Sequence, residues 1–251
     1  MRTLAVIPAR LGATRLPRKP LRLLAGLPLV VRVFQRVVEI GVAEDVVVAT
    51  DSDEIADVVA KHGGRAVMTS AKHPSGTHRV AEVAGNAEFA NYDVIVNVQG
   101  DEPFVSRRAV LGAARLVTDA AYPIGTAAVM ATPQILNDPN VVKVVAADDG
   151  RAMYFSRAPI PFLRDAADAE LQRTRVWQHL GIYAYEKTAL WDWMMLPETP
   201  LEHIERLEQL RPLAAGMPIG VSLIDEPVRP GIDTEDDLER ANRDWTAFTT
   251  G

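Results

Sequence analysis

Short apolar runs alternate with amphipathic stretches through the first half of the chain. Three of these runs are hydrophobic at successive positions and rich in β-branched side chains: residues 4–7, 46–49 and 94–98. Such runs are typical of strands buried on both faces of a parallel sheet. Between them, helical spacing of apolar residues extends over Leu29–Ile40, from about Ser52 to Lys61, and beyond Ser75-Gly76-Thr77. This alternation predicts right-handed βαβ units, and therefore an α/β fold with a doubly wound sheet.

The second half of the chain has a mixed pattern. Two apolar segments flank Asp148-Asp149-Gly150 and predict a β-hairpin over residues 141–155. We also predict strands at residues 179–185 and 219–224, a single helix at residues 201–211, and a final helix that begins near Thr234 and is capped together with Asp237. A β-rich part therefore accompanies the main sheet.

Composition and charge narrow the range of functions. The 251 residues are 48% hydrophobic and 24% charged, as in ordinary globular domains. The formal net charge of −6 argues against a nucleic-acid partner, because the overall field repels phosphate backbones. The absence of cysteine excludes disulfides, thiolate metal sites and cysteine nucleophiles. The apolar run at residues 4–7 is too short for a signal peptide, and no stretch of about 18 uncharged apolar residues occurs, so we expect a soluble cytoplasmic protein without a membrane span.

Polar segments follow several predicted strands, at the edge where doubly wound sheets bind their ligands. The segments are residues 8–19, Thr50-Asp51 and residues 99–103. The first contains Arg10, Arg15, Arg18 and Lys19, and its glycine and prolines prevent a continuous helix. An arginine side chain can bind phosphate oxygens through two parallel hydrogen bonds, and a lysine charge and free loop amides also bind them. We therefore predict that this loop binds a triphosphate. The alternative is a solvated basic loop.

Carboxylates occur at two places that suit a hard divalent cation. Asp101 and Glu102 directly follow a predicted buried strand, and Asp233 lies within Pro230–Thr234. Magnesium prefers one or two carboxylates together with substrate phosphates and water, so these positions predict a Mg²⁺ site. Two simpler interpretations stay open: residues 101–103 form only a turn, and Asp233 is only a helix N-cap.

A set of short motifs occurs in order from about residue 3 to residue 240. They are Ile7-Pro-Ala-Arg10 with Thr14-Arg15-Leu-Pro17 and Lys19-Pro20-Leu21, Ala49-Thr50-Asp51, Ser75-Gly76-Thr77-x-Arg79, Asn97–Pro103, Tyr154-Phe-Ser-Arg157, His179-Leu-Gly-Ile-Tyr183, Pro200-Leu-Glu202 with Leu207–Arg211, and Gly231-Ile-Asp233-Thr234. Together they resemble the 3-deoxy-manno-octulosonate cytidylyltransferases, also called CMP-Kdo synthetases. The first loop is typical of sugar nucleotidyltransferases in general, whereas His179–Tyr183 and Leu207–Arg211 narrow the resemblance to the Kdo branch.

The resemblance implies a Rossmann-like nucleotidyltransferase fold, with a mostly parallel sheet and a smaller β-rich part for dimerisation and sugar binding. Within a single domain we predict a nucleotide-binding half at residues 1–130, a sugar-binding and dimerisation part at 131–215, and a return to the main sheet at 216–251. The implied reaction transfers CMP from CTP to the anomeric hydroxyl of Kdo and releases pyrophosphate, for lipopolysaccharide synthesis. The resemblance also implies Mg²⁺ as cofactor and a homodimer, with no nucleic-acid or membrane partner.

Matching positions assign the site residues. The predicted catalytic residues are Arg10, Arg15, Lys19 and Asp101. The predicted nucleotide-binding residues are Arg10, Lys19, Ser75, Thr77, Arg79 and Asp101. The predicted metal ligands are Asp101 and Asp233. The predicted sugar-binding residues are Gln99, Arg157, His179, Tyr183, Glu208 and Gln209.

Several alternatives accompany these assignments. Arg157 could instead form a structural ion pair, and His179 could be a satisfied core residue. The sugar could be amino-Kdo or sialic acid, or the chain could be a catalytically silent nucleotide-binding relative. The family commonly has glycine where Arg18 stands and glutamate where His78 stands. We expect His78 to face solvent, and the loop backbone to differ locally at Arg18.

Overall fold

The computed structural model describes residues 1–12, 15–119, 121–227 and 229–245. They form two compact units, one made of residues 1–107 with the C-terminal segment from residue 228, and the other of residues 108–227. The predicted divisions near residues 130 and 215 stay predictions. Thr14 of the first motif lies outside the described residues.

Alternating strands and helices build most of the first unit. In chain order its elements up to residue 97 are β1 (Thr3–Ala9), a 3-10 turn (Lys19–Leu21), β2 (Leu23–Leu24), β3 (Leu27–Pro28), α1 (Leu29–Ile40), β4 (Asp45–Thr50), α2 (Asp53–Lys61), β5 (Arg65–Met68), α3 (Gly76–Gly85), a 3-10 turn (Ala87–Phe89) and β6 (Val94–Asn97). Four strands form a parallel sheet in the order β6-β1-β4-β5. The predicted βαβ alternation is confirmed.

The strands of this sheet are hydrophobic because helices pack against them. Every residue of β1 is buried, and α1 and α3 pack against it. The buried residues of α1 recur at helical spacing, and Gly41 ends the helix with a φ of 68°, a left-handed conformation that glycine adopts at low cost. The packed sheet therefore fixes where the loops after its strands begin.

The second unit mixes parallel and antiparallel pairing. Its elements are α4 (Arg107–Thr118), β7 (Ile124–Met130), a 3-10 turn (Pro133–Ile135), β8 (Lys143–Ala146), β9 (Ala152–Ser156), a 3-10 turn (Ala166–Asp168), α5 (Ala169–Arg173), β10 (Trp177–Glu186), α6 (Lys187–Met195), α7 (Pro200–Glu205), α8 (Leu210–Ala214) and β11 (Ile219–Ile224). Strand β7 pairs parallel with β11 and antiparallel with β10, while β8 pairs antiparallel with both β10 and β9. The predicted hairpin is β8–β9, and the α/β class with a β-rich part is confirmed.

The predicted single helix at residues 201–211 is wrong. The chain forms the two short helices α7 and α8, because Arg206 has a φ of 55° and ends α7. A continuous right-handed helix requires a negative φ at every residue. Apolar spacing cannot show such a reversal at one residue, and the break leaves residues 207–209 in an irregular segment.

The last helix, α9 (Glu235–Arg243), belongs to the first unit and begins as predicted. Thr234 is its N-cap, and Asp237 completes a capping box. The carboxylate of Asp237 accepts hydrogen bonds from the backbone N–H groups of Thr234 and Asp233. The interpretation of Asp233 as the N-cap is therefore wrong, and its own carboxylate takes no part in the cap. Among the described residues, no helix is both long and apolar enough to span a membrane.

Candidate active site

The carboxyl ends of β6, β1 and β4 lie at the same edge of the parallel sheet, and polar segments follow them. A cavity of about 320 Å³ lies beside this edge in the first unit. The predicted residues that line it are Arg10, Arg15, Lys19, Ser75, Arg79, Gln99, Asp101 and Asp233. The structure therefore brings together side chains from the two ends of the chain and from its middle.

Lys19 lies between two aspartates. Its Nζ is 2.7 Å from Asp101 Oδ2 and 2.7 Å from Asp233 Oδ1. Burial lowers the pKa of Lys19, but the charges and hydrogen bonds of both aspartates outweigh burial and raise that pKa above its ordinary value. Arg15 Nη2 also lies 3.0 Å from Asp233 Oδ2. The ammonium is therefore charged at neutral pH and holds the two carboxylates at one point.

Close backbone contact places Asp233 beside Asp101. The N–H of Ile232 donates to the backbone oxygen of Asp101 at 3.0 Å. A Cβ on Gly231 would lie only 2.6 Å from Glu102 Oε1, so a side chain there would push the two segments apart. Burial, followed by the charges of Asp101 and Asp233, raises the pKa of Glu102 to about 8. Glu102 is therefore mostly protonated at neutral pH, which limits repulsion among the three acids.

The two aspartates fit a divalent cation. One oxygen of each lies 2.7 Å from the Lys19 ammonium, so both carboxylates point towards the same position. Carboxylate oxygens are hard ligands of the type that Mg²⁺ prefers. In the part of the chain that the structure describes, no group of three or more acidic, histidine or cysteine side chains could hold a metal. Mg²⁺ bound by one or two carboxylates generally takes its other ligands from water and substrate phosphates.

Helix α3 forms one wall of the cavity. Ser75 caps the helix, and the Nδ1 atom of the His78 ring lies 2.9 Å from its Oγ. The expectation that His78 faces solvent is wrong, because this ring is half-buried against the cap. Arg79 is buried, with Nη2 3.2 Å from Asp51 Oδ2 and Nη1 donating to Thr69 Oγ1. Its guanidinium is thus fixed at the cavity wall.

The polar side chains that line the cavity include one that belongs to none of the predicted sets, and they omit one predicted nucleotide-binding residue. Thr77 lies on α3 but outside the lining, whereas His73 lines the cavity and contacts Glu82 through Nε2. His73 belongs to no helix or strand, so hydrophobic periodicity gave no signal for it. Gly100 also has a steric role, because a Cβ there would lie 2.6 Å from the backbone oxygen of Pro8.

Arg18 adopts the backbone conformation for which glycine is the usual choice. Its φ is 56° and its ψ is 30°, in the left-handed region. Its guanidinium pairs with Glu54 in the first turn of α2. Arg18 is therefore a non-glycine residue in the left-handed region, and its side chain lies outside the cavity lining.

Of the predicted sugar-binding residues, Gln99 lies in the first unit and the others lie in the second. His179 and Tyr183 are on β10, with ring centroids 5.4 Å apart. Thr126 Oγ1 donates its one proton to the backbone oxygen of Ile182, so His179 Nε2, 2.9 Å away, must donate to Thr126. Burial lowers the pKa of His179 to about 3. The ring is therefore neutral, and its Nδ1 is a hydrogen-bond acceptor.

Tyr183 carries a buried hydroxyl that has no hydrogen-bond partner among the described residues. Its ring stacks on Tyr185, and burial raises its pKa well above the ordinary value, with smaller contributions from Tyr185 and Glu208. Burying a hydroxyl without a hydrogen-bond partner costs free energy, because its hydrogen bonds to water are lost and not replaced. A polar ligand that reached this oxygen would remove that cost.

The Arg157 side chain binds main-chain carbonyls, and among the described residues it forms no structural ion pair. Nε donates to the backbone oxygen of Glu205 at 2.8 Å, Nη1 to that of Pro139 at 3.0 Å, and Nη2 to that of Arg206 at 3.5 Å. The Glu205 carboxylate accepts from the Arg157 backbone N–H and from Ser156 Oγ. A guanidinium has five N–H groups, so two of them have no partner among the described residues.

A buried ion pair joins α7 to α8. Arg211 Nε lies 2.8 Å from Glu202 Oε2 and Nη2 lies 2.5 Å from Oε1, which is a bidentate arrangement. The pair connects the helices on either side of the irregular segment at residues 207–209, which contains Glu208 and Gln209. Both partners belong to one of the sequence motifs, but no pattern in the sequence identifies them as a pair.

Residues 4–219 match the sequence model of the cytidylyltransferase family. The 3-deoxy-manno-octulosonate cytidylyltransferase of Gemmatimonas aurantiaca is 62% identical over 245 residues, which are 98% of this chain and 95% of the relative. That of Leptothrix cholodnii is 46% identical over 243 residues, 95% of this chain and 89% of the relative. The solved structure of a CMP:2-keto-3-deoxy-manno-octonic acid synthetase complexed with CTP has a TM-score of 0.90 and 36% identity, and the match covers 98% of this chain and 99% of that one.

Proposed function

The chain belongs to the 3-deoxy-manno-octulosonate cytidylyltransferases of the cytidylyltransferase family, and we propose that it transfers CMP from CTP to Kdo, releasing pyrophosphate. The observation that carries the proposal is the cavity where cationic residues face the paired carboxylates of Asp101 and Asp233. Such a site suits a substrate that is polyanionic and brings a divalent cation. The solved relative with 36% identity was complexed with CTP, in agreement with this proposal.

The reaction joins the anomeric oxygen of Kdo to the α-phosphorus of CTP and breaks the bond to the β-phosphate. Arg10, Arg15 and Lys19 stabilise the negative charge that develops on the departing pyrophosphate. Asp101 and Asp233 would hold Mg²⁺, which would supply positive charge to neutralise phosphate oxygens. Ser75, Thr77 and Arg79 are proposed to bind the rest of the nucleotide. The protein thus acts mainly by positioning its substrates and neutralising their charge.

The sugar acid is proposed to bind Gln99 and the predicted residues of the second unit. The neutral His179 offers an acceptor at Nδ1, whereas the buried hydroxyl of Tyr183 offers a donor. These two groups suit sugar hydroxyls, which both donate and accept. Glu208 and Gln209 are expected to contact further hydroxyls, and the proposal also includes a homodimer, a cytoplasmic location and a role in lipopolysaccharide synthesis, as the family resemblance implies.

Pyrophosphate release measured with four nucleotides and several sugar acids tests the proposal. We expect release from CTP only when Kdo and Mg²⁺ are both present, and loss of release when a chelator removes the cation. Equal turnover with ATP or GTP, or release that does not depend on a sugar acid, would contradict the proposal. Preference for amino-Kdo or sialic acid would identify a different sugar, and no release with any sugar acid would indicate a silent relative.

Arg157→Ala is expected to raise the Kdo concentration needed for half-maximal rate while leaving CTP binding close to normal. The reason is that an arginine can bind the sugar carboxylate through charge-assisted hydrogen bonds. Loss of about 1.5–3 kcal/mol corresponds to roughly 10- to 150-fold in affinity. Titrations of CTP and Kdo, each measured separately, check this expectation.

Arg173→Ala is the matched control, because Arg173 is an exposed arginine on α5 of the same unit. Its Kdo and CTP affinities should not change. If Arg157→Ala weakens both substrates together, or neither, then Arg157 serves only the carbonyls that it contacts and the sugar carboxylate binds elsewhere.

A further inference from the structure

The Lys19 ammonium lies where the carboxylates of Asp101 and Asp233 converge. Its side chain is only 13% exposed, and its Nζ bonds one oxygen of each aspartate. Of the two aspartates, Arg15 pairs with Asp233, from a side chain that is 65% exposed. Lys19 is therefore the cation that sits between the carboxylates, while Arg15 lies to one side of them.

The charges of this cluster already balance. The aspartates carry two negative charges, and Lys19 and Arg15 carry two positive charges. A divalent cation arriving alone would meet an ammonium at the same point, and like charges repel strongly at separations of a few ångströms. Its arrival would also leave the cluster with an uncompensated double positive charge.

A nucleoside triphosphate changes this balance. The cavity beside Lys19 is also lined by Arg10 and Arg15 and provides room for phosphates. The lysine side chain is a flexible four-carbon chain that ends in a point charge, so it can turn from carboxylates towards phosphate oxygens. The aspartates then become available to a cation, and each negative group keeps a positive partner.

We infer that Lys19 excludes free divalent cations from Asp101 and Asp233 until a triphosphate draws its ammonium away. The cation and the nucleotide therefore bind together, and the nucleotide-free protein has little affinity for the cation. This inference rests on the proposed function, because it assumes that the two aspartates bind the cation used in transfer.

Direct Mn²⁺ binding without nucleotide tests the inference, with free Mn²⁺ measured by its electron paramagnetic resonance signal. Lys19→Gln should bind Mn²⁺ at least roughly tenfold more tightly than the unsubstituted protein, because an opposing charge is removed at contact distance. Lys61→Gln, which removes an exposed lysine on α2, should leave the affinity unchanged. The double variant Lys19→Gln/Asp101→Asn should lose this gain in Mn²⁺ affinity. That result would show that the additional Mn²⁺ binds at the aspartate pair.

The inference is overturned if Lys19→Gln binds Mn²⁺ no more tightly than the unsubstituted protein. If Lys19→Gln does not fold, Lys19→Met provides the same test, since its unbranched side chain has no charge. The unsubstituted protein gives a further check from the ¹⁵N signal of the Lys19 ammonium. That signal should not shift with Mg²⁺ alone and should shift on addition of CTP, and a shift with Mg²⁺ alone overturns the inference. Pyrophosphate release by the unsubstituted protein tests the proposed function separately, so the two can fail independently.

Discussion

Asp233→Asn is expected to lower the rate of pyrophosphate release at least roughly 100-fold, since asparagine lacks the negative charge that a Mg²⁺ ligand supplies. Asparagine caps helices as well as aspartate does, so a capping role would survive this substitution. The cap of α9 is in any case Thr234. We expect the same loss for Asp101→Asn, and steady-state kinetics with CTP and Kdo measures both.

Thr234→Ala provides the control for damage to the helix. It removes the cap and should cost about 1 kcal/mol of the free energy of unfolding, with only a small effect on the rate. Should Asp233→Asn keep nearly full activity, Asp233 is not a ligand and the cation depends on Asp101 alone. Circular dichroism of each variant shows whether the fold is retained.

Arg211→Met should lower the free energy of unfolding by about 3–5 kcal/mol, because it leaves the buried Glu202 carboxylate without its cationic partner. Both side chains are almost fully buried. The double variant Glu202→Met/Arg211→Met should recover most of the loss, since no unpaired charge stays behind. Urea denaturation measures all three proteins, and a loss below about 1 kcal/mol in the single variant would mean that water reaches the carboxylate.

The ion pair of Glu202 and Arg211 also makes the free energy of unfolding depend on pH. Burial raises the pKa of Glu202, but the hydrogen bonds and charge of Arg211, together with a backbone hydrogen bond from Thr199 and the charge of His203, outweigh burial and lower that pKa. The pKa of Glu202 in the folded protein is thus below that in the unfolded chain. The pair therefore stabilises the protein at neutral pH, and this contribution is lost as the pH falls through the lowered pKa.

The sequence predicted the parallel sheet because its strands are buried on both faces, which leaves a continuous apolar run that is easy to recognise. It predicted the start of α9 because the Thr234 cap is encoded within four residues. Local patterns could not show that Asp233 meets Asp101, since that contact depends on how distant segments pack. Only the resemblance to a family placed the two side chains in one site.

Other parts of the site lack any periodic signal. The left-handed Arg206 interrupts an apolar pattern that suits a longer helix, so the two helices were predicted as one. His73 lies in an irregular segment, and its place in the cavity depends on the fold of its neighbours. Glu202 and Arg211 lie on helices separated by that same break, so their pairing required knowledge of the backbone path.

The turn at Arg18 is held by an exposed ion pair, so we expect it to be sensitive to ionic strength. A left-handed arginine costs roughly 1–2 kcal/mol relative to the right-handed conformation, whereas glycine adopts either readily. The side chain of Arg18 also connects the loop to Glu54 through an ion pair whose two side chains are 56% and 51% exposed. Salt weakens exposed pairs of this kind. A loop with glycine there would lack this tie, so concentrated salt should loosen the loop of this protein more than that of a relative with glycine.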